Sequence, residues 1–191
     1  MPSSLFYAFD HYQPNLKILR EKGFNASQLN IEVDDFPFQS ESVDLIIANQ
    51  ILEHCKEIFW IFHEVSRTLK VVGYFFVGLA NLASFHSRIL LLLGLQPTSI
   101  RTASAHVRGF TKADFINFLN SCARNLYSIE MFKRSNFYPF IAKTIANVFP
   151  NGAVSIFFAI KKTKAYESEF TKYPLANQLE TNFWVRKSSF N

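Results

Sequence analysis

The run VDLIIA, residues 43–48, restricts this chain more than any other feature. After Asp44 it is wholly apolar, where a strand with one wet face would alternate. Such a run predicts a strand buried on both faces, inside a parallel sheet. In the following stretch, EIFWIFHEVSRTLK (57–70), Ile58, Ile61, Phe62, Val65 and Leu69 keep helical spacing, while Glu57, Glu64, Arg67 and Lys70 take the other side. Gly73 breaks this helix, and YFFVGL (74–79) predicts a second buried strand. Strand, helix, strand is the repeating unit of a mainly parallel sheet with helices on both faces.

The same alternation runs along the rest of the chain. Residues 5–9 predict a short strand, and Pro14 suits the first turn of a helix carrying Leu16, Ile18 and Leu19 and stopped by Gly23. SQLNIEV (27–33) predicts a strand ending in the acidic turn DDFPFQSES. LASFHSRILLLL (82–93) predicts a helix closed by Gly94, and residues 95–109 lack periodicity and read as a loop. Thr111 is placed to cap KADFINFLNSCA, with Ala113 or Asp114 in the first turn. YSIEMFKR (127–134) predicts a strand, FIAKTIANVF (140–149) a short helix and AVSIFFAIKK (153–162) a final strand. The expected domain spans 1–161, and 162–191 reads as an extended tail in which NFWV is placed to dock.

With 49% hydrophobic and 18% charged residues among 191, the chain is globular rather than disordered. Its 22 phenylalanines must fill much of the interior, and an apolar pocket besides. The longest apolar runs, ILLLLGL and AVSIFFAI, fall short of the roughly 20 residues a membrane-spanning helix needs. The opening MPSSLFYAFD lacks the basic and apolar regions of a signal peptide. Cys55 and Cys122 are the only cysteines and make no disulfide framework, so a reducing, cytoplasmic setting is expected. The net charge of +5 is spread, with KKTK at 161–164 and isolated Arg88, Arg101 and Arg108. That pattern reads as solvated basic surface, and no specific nucleic-acid binding is expected.

Ligands of such sheets sit outside the carboxyl ends of the strands. Asp10, Asn30, Asn49 and Asn81 all fall at or just past predicted strand ends. Asp10, before a helix, is placed where α/β folds hold ribose hydroxyls; the alternative is a plain turn residue. The five histidines and two cysteines show no metal-ligand spacing, so no metal site is expected.

The stretch DDFPFQSESVDLIIANQILEHCKEIFWIFHEVSRTLKVVGYFFVGLAN resembles the central part of class I S-adenosylmethionine-dependent methyltransferases, of the small-molecule, type 11-like kind. The carriers are VDLI leading into a strand, LEH, a helix ending in LK-x-x-G, and the next strand. HVRGFTKADFINFL resembles the family's stretch before its last helix, and the likeness extends from about Leu5 to Lys161. It implies a three-layer Rossmann-like sheet of order 3-2-1-4-5-7-6 with the last strand antiparallel, S-adenosylmethionine as cofactor, and methyl transfer to a small-molecule acceptor. Residues 5–9 then match strand two, with Asp10 on the cofactor's ribose. Asn30 and Ile31 match the pair bordering adenine, where the family often has Asp in place of Asn30. Asn49 and Gln50 match positions facing the methionine part. His54 either faces the substrate, where it is the one candidate base, or simply touches solvent at a helix start. His106 and Arg108 lie on a loop able to close over a substrate, with Arg108 suited to an anionic one. Tyr138, in SNFYPF, is a further pocket candidate, while Phe137 and Phe140 read as packing. Cys55 reads as packing and His63 as solvated.

The family's strand one, its Gly-x-Gly-x-Gly turn and the following helix have no counterpart in the sequence. Without that strand, strands two and four must pair directly or expose two apolar edges. The expectation is an N-terminally truncated or functionally relaxed methyltransferase that binds its cofactor poorly. The alternative is a non-catalytic binding or regulatory protein whose partner, or second copy, covers the strand edges. Val71-Val72-Gly73 also stands where the family has Pro-Gly-Gly, which puts β-branched residues in a sharp turn. Arg124-Asn125 replaces a helix-ending glycine, a mild change because Asn tolerates the left-handed conformation.

Overall fold

The computed structural model describes residues 5–135 and 152–179. They fall into two compact units, Met1–Pro37 and Phe38–Asn191.

The first unit is a single strand–helix–strand turn of chain: β1 (Tyr7–Asp10), α1 (Gln13–Glu21) and β2 (Asn25–Gln28). Pro14 lies in the first turn of α1, and Gly23, at φ +86°, lets the chain reverse after it. β1 and β2 pair in parallel from Tyr7 opposite Asn25 to Asp10 opposite Gln28. Leu16 is buried, Arg20 Nε donates to the Ala26 carbonyl at 3.0 Å, and the Phe9 ring stacks on Phe36. β2 ends five residues earlier than its apolar pattern predicted. Asn30 is the reason: its Oδ1 accepts the Glu32 N–H and its backbone carbonyl those of Val33 and Asp34, which turns the chain out of the sheet.

The second unit holds β3 (Val43–Asn49), α2 (Ile58–Thr68), β4 (Leu69–Ala80), α3 (Phe85–Leu92), α4 (Lys112–Cys122), β5 (Tyr127–Ser135), β6 (Ser155–Lys162) and α5 (Glu169–Ala176). Its sheet runs β3-β4-β6-β5, with β3 parallel to β4 and β6 antiparallel to both neighbours. In the expected numbering these are strands 4-5-7-6, and β1 and β2 are strands 2 and 3. The Rossmann-like order and the reversed last strand are therefore both present. Thr111 caps α4 as expected, its hydroxyl accepting the Asp114 N–H at 3.1 Å, and Asn125 takes the left-handed conformation at φ 59°. The predicted helix at 140–149 lies outside the described residues. Among the described residues no helix is long and apolar enough to cross a membrane.

Several expectations need correction. β3 was expected to be buried on both faces, yet Leu45 is 47% and Ile47 66% exposed. The cause is its place at the edge of the sheet, where β4 is its sole partner among the described strands.

α2 was read as amphipathic, and nearly all of it is buried. The segment read as an extended tail explains this, because it contains α5, and Phe170 of α5 packs on Phe62 with ring centroids 5.1 Å apart. His63 is consequently buried rather than solvated, its Nδ1 2.9 Å from the Tyr166 hydroxyl. Glu64, 2% exposed, is paired at both oxygens by Arg67, at 2.6 and 2.7 Å. The core of this unit is aromatic: Phe62 lies against Phe75, Phe115, Phe118 and Phe170, and Phe115 against Phe158 at 4.7 Å.

Lys162, read as solvated basic surface, is fully buried. Its ammonium donates to the carbonyls of Ser66 and Leu69, both at 2.8 Å, and to Glu41 Oε1 at 3.1 Å. Those carbonyls belong to the C-terminal end of α2, where no further helical N–H can reach them. A lysine on the last strand thus completes a helix almost a hundred residues earlier in the chain.

The Val71-Val72-Gly73 departure has a visible cost. Val72 sits at φ 66° and 63% exposed, in the register shift between the Val43–Leu69 and Leu45–Tyr74 pairings. An L-residue in that conformation costs roughly 1–2 kcal/mol, and a glycine there gives back part of the gain in chain entropy. Val72→Gly is expected to stabilise the protein by about 0.5–1 kcal/mol in urea unfolding. A lowered midpoint would show that the turn holds no strain.

Candidate functional site

In the first unit the parallel pairing of β1 and β2 brings Asp10 and the Asn30–Ile31 turn to the same carboxyl edge. Asp10 Oδ1 accepts the Tyr12 N–H and Oδ2 the Asn15 amide, both at 2.8 Å. Partial burial alone would raise the pKa of Asp10, but these two hydrogen bonds and the neighbouring His11 outweigh it and hold the carboxyl below its ordinary value. The group is an anion at neutral pH and also shapes the start of α1. Asn30 spends its side-chain oxygen on the turn, and Ile31 is half-buried beside it.

In the second unit β3 ends at Asn49, whose side-chain oxygen lies over Gly78 of β4. Any side chain at Gly78 would collide with that oxygen and with the Phe157 ring. Gln50 follows at φ 55°, its N–H on the Gly78 carbonyl at 2.9 Å. With its amide oriented to satisfy both neighbours, it donates to Glu53 Oε1 at 3.1 Å and accepts the Leu79 N–H at 3.3 Å. The chain then makes a short 3₁₀ turn, Leu52–His54, which puts Glu53 inside and His54 outside.

The loop before α4 docks on this turn. The N–H groups of Val107 and Arg108 donate to the Glu53 carbonyl at 2.9 and 3.2 Å, and Arg108 Nη2 donates to the Lys56 carbonyl at 2.8 Å. Arg108 therefore pins the loop, a duty the sequence reading did not foresee. His54 and His106 meet edge to face, ring centroids 4.5 Å apart, and each directs Nδ1 at a backbone carbonyl, of Ala105 and Ser99 respectively.

Glu53 was passed over in the sequence, although it stands in the LEH motif. It is fully buried, and its Oε2 has no hydrogen-bond partner among the described residues. Its signal was an acid directly after the apolar pair Ile51-Leu52, next to the histidine that drew attention.

The other candidates are structural. Asn81 is buried, donating to the Ala153 carbonyl at 2.7 Å and accepting the Ala83 N–H. Cys55 is buried, with its thiol toward the Ile51 carbonyl, and burial pushes the Cys122 thiol up to about 12. Tyr138, with Phe137 and Phe140, lies outside the described residues.

Residues 3–77 match the family described as "Methyltransferase domain". No curated protein matches the chain. Among solved structures, a methyltransferase from Thermotoga maritima is similar with TM-score 0.60 and 15% identity, covering 83% of this chain and 73% of that one. One from Bacillus halodurans has TM-score 0.59 and 18% identity, covering 84% of each chain. A methyltransferase of Haloferax volcanii, solved in complex with the activator Trm112, has TM-score 0.56 and 11% identity, covering 83% and 72%. At these identities the likeness is one of fold. The sequence match over residues 3–77 and the likeness of fold to solved S-adenosylmethionine-dependent methyltransferases point in the same direction.

Proposed function

We propose that the chain is suited to methyl transfer from S-adenosylmethionine to a small-molecule acceptor, with a weak hold on the methionine end of the cofactor. Asp10 carries the reading. It is an ionised carboxylate at a strand end, beside the Asn30–Ile31 turn, and a carboxylate accepts about four hydrogen bonds, more than the local ones from Tyr12, Asn15 and His11. That is the equipment for gripping two ribose hydroxyls. Asn30 has its amide hydrogens for a purine edge, and Ile31 an apolar flank. By the resemblance, Asn49 and Gln50 serve the methionine part, and His54, His106 and Arg108 the acceptor.

The cofactor, when bound, supplies a methyl group already activated on a sulfonium. The chain's own residues need only orient the acceptor and exclude water, with His54 the one candidate to take its proton. The weakness follows from the lack of any Gly-x-Gly-x-Gly among the 191 residues. Two or three missing hydrogen bonds, at about 0.5–1.5 kcal/mol each, weaken binding by roughly 10- to 1,000-fold.

Titration calorimetry with S-adenosylmethionine tests both halves. The expected result is binding well above the low-micromolar range that Asp10→Ala abolishes and Asp10→Asn, which keeps the local turn, strongly weakens. Low-micromolar binding sensitive to Asp10 would refute the weak hold. No binding at millimolar cofactor by a folded chain would refute methyl transfer itself.

The exposed Leu45 and Ile47 on the β3 edge favour one other reading, a non-catalytic protein whose partner or second copy covers that edge. It predicts self-association or capture in light scattering, and a well-behaved monomer counts against it. A cytoplasmic setting is part of the proposal, supported by the two free, buried cysteines.

A further inference from the structure

The geometry points to a divalent transition-metal site formed by Glu53, His54 and His106. One nitrogen of each imidazole and one oxygen of the carboxylate all lie within 4.8 Å of one another. Nothing in the sequence hints at this, because His106 stands 52 positions beyond His54, far outside any local ligand spacing.

Three observations make the cluster a prepared site. Each histidine directs Nδ1 at a backbone carbonyl, at 3.2 Å for His54 and 2.7 Å for His106. A carbonyl can only accept, so both Nδ1 atoms carry hydrogen and Nε2 keeps the lone pair on each ring. Holding one ring nitrogen in this way is how proteins fix the tautomer and orientation of a ligating histidine. The carboxylate is held similarly: Gln50 occupies Glu53 Oε1, while Oε2 is buried with no partner among the described residues. A buried carboxylate oxygen without a partner among the described residues, in a cluster that also offers two imidazoles, is an environment a cation satisfies. The scaffold is also tied together, since the Glu53 carbonyl receives the N–H groups of Val107 and Arg108.

Two imidazoles and one carboxylate suit Zn²⁺, Co²⁺ or Mn²⁺ better than Mg²⁺ or Ca²⁺, which prefer oxygen. Metal bonds of about 2.1 Å place tetrahedral ligand atoms about 3.4 Å apart, so the cluster draws together when the ion binds. Three protein ligands leave an open position, where water or the oxygen of an acceptor binds and loses its proton more readily. That last role rests on the methyltransferase reading; binding of the ion does not.

The test uses the full, untagged chain after chelator dialysis, titrated with ZnCl₂ by calorimetry and with CoCl₂ by visible absorption. One ion per chain is expected, with cobalt bands of a low-coordinate nitrogen–oxygen site. His106→Ala, on a loop, and Glu53→Gln, which keeps the side chain's shape, should each weaken zinc at least as much as the about 10–100-fold cost of losing an outer-shell partner. Melting curves without metal establish that each variant is folded. Zinc binding unchanged in the His54→Ala/His106→Ala double variant would place the ion elsewhere and overturn the proposal. So would a folded parent chain that binds neither ion at millimolar concentration.

Discussion

Lys162→Ala is expected to destabilise the protein by about 3–5 kcal/mol, measured by urea unfolding. The loss has two sources. The buried carbonyls of Ser66 and Leu69 lose their donor, each at about 1–3 kcal/mol, and the space of the fully buried stem is left empty. Glu41, the ion-pair partner, is partly exposed and can return to water, so the charge itself contributes little. Lys162→Met separates the sources, because it fills the space but leaves the carbonyls bare. Its expected cost is smaller, about 1–3 kcal/mol. A loss under about 1 kcal/mol in the alanine variant would mean that water reaches those carbonyls and that Lys162 does not cap α2.

Phe62→Ala should cost a similar amount, about 3–5 kcal/mol. Phe62 is fully buried and touches aromatic rings from β4, α4 and α5 at centroid distances of 5.0–6.1 Å. No single neighbour can collapse into the cavity without abandoning another contact. Phe62→Leu keeps most of the volume and should cost less than half as much in the same assay. Equal losses for the two variants would show that ring packing, rather than filled volume, dominates this core.

What was legible in the sequence came from periodicity and punctuation. The apolar run of β3, the spacing in α2, Pro14, Gly23, Gly94 and Thr111 each act within a few residues, so each could be read locally. LEH followed by LK-x-x-G added the strand order through the family resemblance, which is fairly specific at this spacing. Most of the failures involve partners distant in sequence. His63 and Glu64 occupy the polar side of an amphipathic pattern, and only a helix a hundred residues later buries them. Lys162 sits in a basic cluster whose other members suggest solvent, yet its ammonium has targets at the end of α2. Leu45 and Ile47 look like core until the sheet ends beside them. Glu53 was hidden by the same logic, since a lone acid carries no pattern until folding brings His106 to it. Asn30 was a local failure: a side chain that competes for backbone hydrogen bonds overrode an apolar run.

The position of β6 also has a temporal consequence. It lies between β4 and β5 in space but follows both in the chain, and it is the strand that joins them. While the polypeptide is being made, β4 has an open edge and β5 has no neighbour among the described strands until residue 155 has emerged. Closing the sheet then requires threading the final strand into a slot some eighty residues distant, an arrangement that slows folding because the loop must be ordered before the contacts form. Because β6 also carries Lys162, the end of α2 is completed at the same moment. The newborn chain thus depends on its last strand to finish both a sheet and a helix, and until that strand arrives it presents the kind of edge that chaperones bind and aggregates extend.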